Sequence, residues 1–375
     1  MFDLKGSMGI RRVLRGVCVG AVSLGLVAPV LPLAAQTSSS SAAPKQTPKQ
    51  AQAPKKAQPA KKTQQTKAQQ RKTQQAKKKT QQAKKKSQQT NKVARTPRNP
   101  NDRMSAGSKL GLQSAMTEAS LKSSSVLVVD QISGEILFEK NPDSVLPIAS
   151  ITKLMTALVV AEADLPMSEM LRITQEDADL EKGVGSRLRV GTRLSRGELM
   201  HLALMSSENR AAHALGRTYP GGLDAFVVAM NIKARQLGMS ATQFTEPTGL
   251  NAGNVSSPRD LVRLVEEAYL VPLIREYSTA QNLMVRVGGR SHQFRNSNAL
   301  VRTESWDLGL SKTGFIREAG RCLVMQADVE SRPVILVMLD APGTRHRLRD
   351  AEMIRRWLIQ QAEKPSKLVS KAPAA

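Results

Sequence analysis

The stretch Pro147-Ile148-Ala149-Ser150-Ile151-Thr152-Lys153-Leu154-Met155 opens a helical pattern that carries a serine and a lysine almost one turn apart. Ile151, Leu154, Met155, Leu158 and Val159 recur at i, i+3, i+4, i+7 and i+8, the spacing of a helix with one face against a core. Ser150 falls at the start of that helix, and Lys153, three residues on, brings its amine within reach of the hydroxyl. A serine hydroxyl is a weak nucleophile until a base takes its proton. An ammonium cannot take it, so the pattern requires a lysine held partly neutral by burial or by a second cation. The helix start also offers backbone N–H groups and a positive dipole end to a developing oxyanion. Alone, S-x-x-K is a common four-residue pattern. Its weight comes from two further elements in order, Ser207-Glu208-Asn209 and Lys312-Thr313-Gly314, which add a second polar trio and a second cation.

Charge divides the 375-residue chain unevenly. Of the net charge of +25, about +18 lies in residues 36–103, where 19 basic residues face one acid. Everything after Arg103 is mildly basic and, at about 260 residues, ample for a sizeable core. Ahead of the basic segment, Lys5, Arg11, Arg12 and Arg15 precede an apolar run over residues 16–33 and Ala34-Ala35, the order of a secretory signal in residues 1–35. The alternative is a retained membrane anchor. Gly20, Gly25, Pro29 and Pro32 interrupt the run and favour cleavage, which places the product outside the cytoplasm, in a periplasm. Cys18 would leave with the signal. Cys322, then alone, has no intramolecular partner, so the exported domain must be stable from packing.

Residues 36–103 contain Ala, Lys, Gln, Pro, Ser and Thr with no aromatic, too little apolar surface to offset ordering entropy. Units such as Lys78-Lys79-Thr80-Gln81-Gln82 and Lys85-Lys86-Ser87-Gln88-Gln89 repeat there at seven residues, but their would-be seam holds Ala, Lys and Gln, and no coiled coil follows. The segment reads as a disordered tether, either a plain spacer or an electrostatic contact with anionic envelope material. A third possibility makes it the working part of a wall- or nucleic-acid-binding protein. The export signal and the lack of base-stacking aromatics speak against nucleic acid.

The folded region spans residues 104–363, with a short tail over 364–375. Residues 126–130 and 136–139 read as a hairpin, and the Ser150 helix follows. Ser195 and Glu198 have capping-box spacing before an apolar helix, and Ser207-Glu208-Asn209 falls between that helix and the next. Ser257 and Pro258 start another helix. Strands return over 283–294, 308–315, 321–329 and 333–339 before a C-terminal helix. Strands at both ends and helices between predict an α+β domain whose sheet joins the two ends.

On these three elements the chain resembles the penicillin-binding serine DD-peptidases of the low-molecular-weight class. The sequences Ser207-Glu208-Asn209-Arg210-Ala211-Ala212-His213-Ala214-Leu215-Gly216 and Gly309-Leu310-Ser311-Lys312-Thr313-Gly314 resemble the D-alanyl-D-alanine endopeptidase branch. The resemblance implies a helical subdomain against an antiparallel sheet flanked by helices, with the active site in the cleft between them. It implies Ser150 as the acylated nucleophile, Lys153 as its base and Ser207 as a proton relay to the leaving amine. Asn209 would bind the substrate peptide, Lys312 would keep Lys153 partly neutral, and Thr313 would grip a carboxylate. Gly314 would leave room for substrate backbone, and the N–H groups of Ser150 and Phe315 would form the oxyanion hole. Peptidoglycan stem peptides are the implied substrate, β-lactam antibiotics the implied covalent inhibitors, and no cofactor is needed.

Three alternatives remain within the resemblance or beside it. A D-alanyl-D-alanine carboxypeptidase uses the same acyl-enzyme. A serine β-lactamase adds a glutamate for deacylation, and Glu246-Pro247 is its candidate here, although class A lactamases carry Ser-Asp-Asn where this chain has Ser207-Glu208-Asn209. Asn296-Ser297-Asn298 resembles the family but also reads as a plain loop. His201, His213, His292 and His346 are scattered without metal spacing, and His213 reads as helix packing.

Overall fold

Strands from the two ends of the folded region form one five-stranded antiparallel sheet. The computed structural model of the chain describes residues 104–114, 120–180 and 185–363. The signal, the basic tether and the tail of residues 364–375 lie outside the described residues. In chain order the strands are β1 (Ser125–Asp130), β2 (Ile136–Lys140), β3 (Leu146–Pro147), β4 (Met170–Arg172), β5 (Arg193–Ser195), β6 (Val255–Ser256), β7 (Asn282–Val287), β8 (Arg290–Arg295), β9 (Asp307–Ile316), β10 (Gly320–Val329) and β11 (Arg332–Ala341). The sheet order is β2-β1-β11-β10-β9, so the first hairpin pairs with the last strand and β9 is an edge. The three smaller pairs are β3 with β6, β4 with β5, and the β7–β8 hairpin. Gly288 and Gly289, at φ +57° and +78°, turn that hairpin in the two-residue geometry that needs positive φ at both positions.

Both faces of the sheet are covered, which is why its inner strands read as continuous apolar runs rather than alternating ones. Leu127, Val129, Val324, Ile335, Val337 and Leu339 join the larger core with the central helices. Val126, Val128, Leu323, Met325, Leu336 and Met338 belong to a second core with Ala351, Ile354 and Leu358 of the helix Thr344–Ala362.

The helix Thr152–Glu162 departs from its one-sided pattern. Thr152 through Val160 are all buried, because the helices Arg196–Met205, Asn209–Arg217, Gly222–Gln236 and Pro258–Leu270 surround it. A helix buried all round must satisfy its polar side chains internally. Thr152 Oγ1 donates to Ala149 O at 2.8 Å and Thr156 Oγ1 to Pro247 O at 2.7 Å. Lys153 is enclosed with them.

The capped helix starts are present as read. Ser195 Oγ accepts from Glu198 N at 3.1 Å while Glu198 Oε2 accepts from Ser195 N at 2.7 Å, and Ser257 Oγ accepts from Asp260 N at 3.3 Å. Among the described residues no helix is long and apolar enough to cross a membrane.

Candidate active site

Ser150 sits in a 3-10 turn, Ala149–Ile151, that runs into the buried helix. The turn is strained: Ala149 has φ +48°, a left-handed conformation that costs a non-glycine residue roughly 1–2 kcal/mol. Two glycines hold it from either side. Gly249, at φ +78°, lies so close that a Cβ there would stand 1.9 Å from Ala149 O and 2.8 Å from Ser150 N. A Cβ at Gly314 would stand 2.8 Å from Ile148 O and 3.3 Å from Ser150 N. Gly314 was expected to be small for the sake of substrate backbone. The neighbour that requires it is the Ser150 turn itself.

Lys153 Nζ lies 2.8 Å from Ser150 Oγ, 2.8 Å from Asn209 Oδ1 and 2.5 Å from Thr248 O. Burial drives the amine down from the usual lysine range to about 7, against the charges of Glu246 and Glu208, which raise it. The half-buried Glu208 has its own carboxyl pushed up by burial, partly offset by a hydrogen bond from Ser186 Oγ and by the charge of Lys153.

Glu246 is the residue that sequence reasoning undervalued. Its Oε2 accepts from Thr248 N at 2.5 Å and its Oε1 from Gly249 N at 2.5 Å, with Asn254 Nδ2 also donating to Oε1 at 3.1 Å. The carboxylate therefore folds the loop that presents Thr248 O to Lys153 and Gly249 to Ser150. A deacylating glutamate of the lactamase kind needs an oxygen free to activate water, whereas both oxygens here are held by the loop's own N–H groups. The signal for this role was the close spacing of Glu246, Thr248 and Gly249, legible as a self-bonded turn.

Across the cleft, Ser207 closes the helix Arg196–Met205 at φ +61°, with Glu208 N donating back to Leu202 O at 3.1 Å. Glycine usually fills such a position. Here the strain points the Ser207 hydroxyl at Lys312, whose Nζ donates to Ser207 Oγ and to Thr313 O, both at 2.9 Å. Lys312 is buried and held well below its ordinary value, first by burial, then by the charges of Lys153 and Arg347. The second cation was expected to depress Lys153. Burial is the largest cause at both amines, and the repulsion between them disfavours charging both at once.

Thr313 Oγ1 and Ser297 Oγ share a hydrogen bond of 2.7 Å, so the Asn296-Ser297-Asn298 stretch is more than a plain loop. Asn298 Nδ2 donates to Ser311 Oγ at 2.8 Å, and Asn296 Nδ2 to Ser278 O at 2.9 Å, pinning the loop beside β9. The half-exposed Phe315 ring lies 3.5 Å beneath the Arg321 guanidinium, its partner across β10, which leaves the main chain as what Phe315 offers the cleft. Lys153 thus bonds Ser150 and Asn209, and Lys312 bonds Ser207 and Thr313, with Gly314 packed on the Ser150 turn. His213 stands apart: its Nδ1 pairs with Asp177 Oδ1 at 2.7 Å in a buried cluster with Arg217. Cys322 is buried and free, its thiol pushed up to about 12 by burial. Among the described residues no group of His, Cys, Asp or Glu is arranged to hold a metal ion.

A buried helix bearing a serine–lysine pair, faced by a serine–asparagine wall and a lysine-bearing edge strand, defines a serine acyl-transfer enzyme. A sequence profile described as D-alanyl-D-alanine carboxypeptidase matches residues 112–343, and the chain belongs to that family of serine peptidases. It is 49% identical over 240 residues to a D-alanyl-D-alanine endopeptidase of Pseudomonas aeruginosa, covering 64% of this chain and 77% of the relative. A D-alanyl-D-alanine endopeptidase of Escherichia coli is 43% identical over 255 residues, covering 68% and 82%. The crystal structure of the Streptomyces K15 DD-transpeptidase superposes with a TM-score of 0.61 at 26% identity, covering 65% of this chain and all of that one.

Two measurements check this geometry. With Lys153 as the base in its neutral form, penicillin acylation falls about tenfold per pH unit below 7 and levels off above it, read by stopped-flow. A rising limb above pH 9 would remove Lys153 as the buried base. Gly249→Ala should displace the Ser150 turn and lower the acylation rate at least a hundredfold while the folded protein persists by circular dichroism. Near-parental labelling by fluorescent penicillin would show that the contact does not set the nucleophile.

Proposed function

We propose that this chain is an exported DD-endopeptidase that hydrolyses D-alanyl cross-links of peptidoglycan through an acyl-Ser150 intermediate. The observation that carries the reading is the setting of Lys153. A neutral amine has two N–H groups and one lone pair. Asn209 Oδ1 and Thr248 O can only accept, so they take both N–H groups and leave the lone pair toward Ser150 Oγ, 2.8 Å away.

In this reading the Ser150 hydroxyl gives its proton to Lys153 as its oxygen attacks the D-alanyl carbonyl. The oxyanion is received by the N–H groups of Ser150 and Phe315, each such donor contributing roughly 3 kcal/mol. Collapse expels the amine of the second stem peptide, which takes a proton relayed through Ser207 beside Lys312. Water then hydrolyses the ester and restores the serine. Asn209 has its Nδ2 left to hold a substrate carbonyl, and Thr313, backed by Ser297, offers its hydroxyl to a carboxylate. The substrate backbone would add to the outer edge of β9, which no described strand pairs. A penicillin would acylate Ser150 by the same attack and persist, since both oxygens of Glu246 are held by its own loop and are not free to activate water.

The names of the relatives at 43% and 49% identity favour the endopeptidase, while the family description favours removal of a terminal D-alanine. Both pass through one acyl-enzyme. Digestion of purified cross-linked muropeptides should convert dimers to monomers, followed by chromatography. Release of free D-alanine with the dimers intact would establish the carboxypeptidase instead.

The basic segment of residues 36–103 would hold the enzyme near anionic envelope material. Such attraction is screened over about 8 Å at physiological ionic strength. Removing it should leave penicillin acylation unchanged and reduce sedimentation with isolated cell walls at low salt. Equal or salt-insensitive wall binding would make the segment a spacer.

A further inference from the structure

We infer that a basic cleft between residues 185–190 and the β7–β8 hairpin binds free carboxylates carried by the substrate's stem peptide. The inference rests on the reading of this chain as a peptidoglycan DD-peptidase and adds to it a site outside the three motifs. Arg189, Val287, Gly288, Arg290 and His292 line the cleft.

The cleft is built into the fold on both sides. Arg187 Nη1 donates to Gln293 O at 2.5 Å and its guanidinium stands 3.8 Å from the centre of the Phe294 ring, so residues 185–190 are clamped to β8. The same residues are tied to the active-site wall: Ser186 Oγ donates to the Glu208 carboxylate and Arg210 Nη1 donates to Leu188 O at 2.7 Å. Glu208 lies between Ser207 and Asn209. On the other side, β8 leads into Ser297, the partner of Thr313. The cleft is thus joined by hydrogen bonds to both the Ser207 wall and the Thr313 edge.

The charge of the rim is unbalanced. Neither residues 185–195 nor residues 282–296 contain an aspartate or glutamate, while they carry Arg187, Arg189, Arg193, Arg286, Arg290 and Arg295. Among the described residues none of these six is in an ion pair, whereas Arg196, Arg217, Arg259, Arg263 and Arg332 all are. Arg189 and Arg290, which share the cleft lining, repel one another until an anion joins them. All six are arginine and none is lysine, and the guanidinium fork matches a carboxylate with two parallel bonds. From His292 to Ser297 the path is five residues, about 17 Å at full extension. A stem peptide of four or five residues spans a similar length, the reach the proposal asks of it.

The test uses the full chain and two cross-linked muropeptide dimers, one with its peptide carboxylates free and one with them amidated. The parent enzyme should cleave the free-carboxylate dimer with kcat/KM about tenfold above the amidated one, a size suited to charge-assisted bonds at an exposed rim. The double variant Arg189→Gln, Arg290→Gln should lose that preference, through a raised KM for the acidic dimer, with the amidated dimer cleaved as before. Penicillin acylation, which does not reach the cleft, should keep its rate and so report an intact fold. Equal cleavage of both dimers by the parent, or a retained preference in the variant, overturns the inference. If the parent cleaves no dimer but removes D-alanine, the endopeptidase reading fails by itself. The same acidic-versus-amidated comparison on monomeric stem peptides then sustains or overturns the cleft.

Discussion

Exclusion of water from the Lys153 amine is the constraint on which the cleft depends. A lysine on an exposed helix face holds its proton at neutral pH and cannot serve a serine. Here the helix is enclosed on all sides, and the amine's polar neighbours are two fixed acceptors and the Ser150 hydroxyl. One of those acceptors, Thr248 O, belongs to a loop that Glu246 folds through its own backbone N–H groups. The next residue, Gly249, then abuts the left-handed Ala149 and fixes where Ser150 points. Base, acceptor loop and nucleophile are therefore one packed unit, and a change in any of them reaches the others.

The second amine follows from the first. Lys312 is buried a strand away, bonded to Ser207, and burial together with the neighbouring charge of Lys153 lowers it well below its ordinary value. Two amines in one dry cleft resist being charged together, so their protons come off as a property of the pair. That suits a site that must accept a proton on one wall and return one on the other. Ser207, bonded to Lys312 in a left-handed conformation seldom adopted without glycine, is held where such a return can occur.

The sequence made the chemistry legible to the extent that it is local. Ser150 and Lys153 are one turn apart on a helix, and their mutual reach follows from helix geometry. The sheet joining both chain ends followed from the order of elements. Tertiary enclosure was not legible. The apolar pattern at Ile151, Leu154 and Met155 predicts one buried face, and only the surrounding helices bury Thr152 and Thr156 as well. A further reason for Gly314 was not legible, because the neighbour it abuts, Ile148 O, is more than 160 residues away in sequence. Glu246 was weighed as a catalytic candidate by its distance from Asn209, whereas its partners lie two and three residues downstream. Ser297 carried no signal beyond resemblance until Thr313 was placed beside it.

Endopeptidase and carboxypeptidase share every step up to the acyl-enzyme, so the three motifs cannot choose between them. The leaving group differs: a single D-alanine in one case, a second stem peptide in the other. Discrimination must therefore come from surfaces that only the larger substrate reaches. The Ser150 turn, the Ser207 wall and β9 are tied to the reacting bond by their hydrogen bonds. The rim made by residues 185–190 and the β7–β8 hairpin is joined to those walls but carries its own unpaired arginines. An exposed charge of this kind does little for stability and acts over about a Debye length. On the proposal above it would favour a stem peptide whose acidic groups are held against the rim by bonds made at Ser150 and β9, in monomer and dimer alike, so the choice of leaving group would rest on other surfaces.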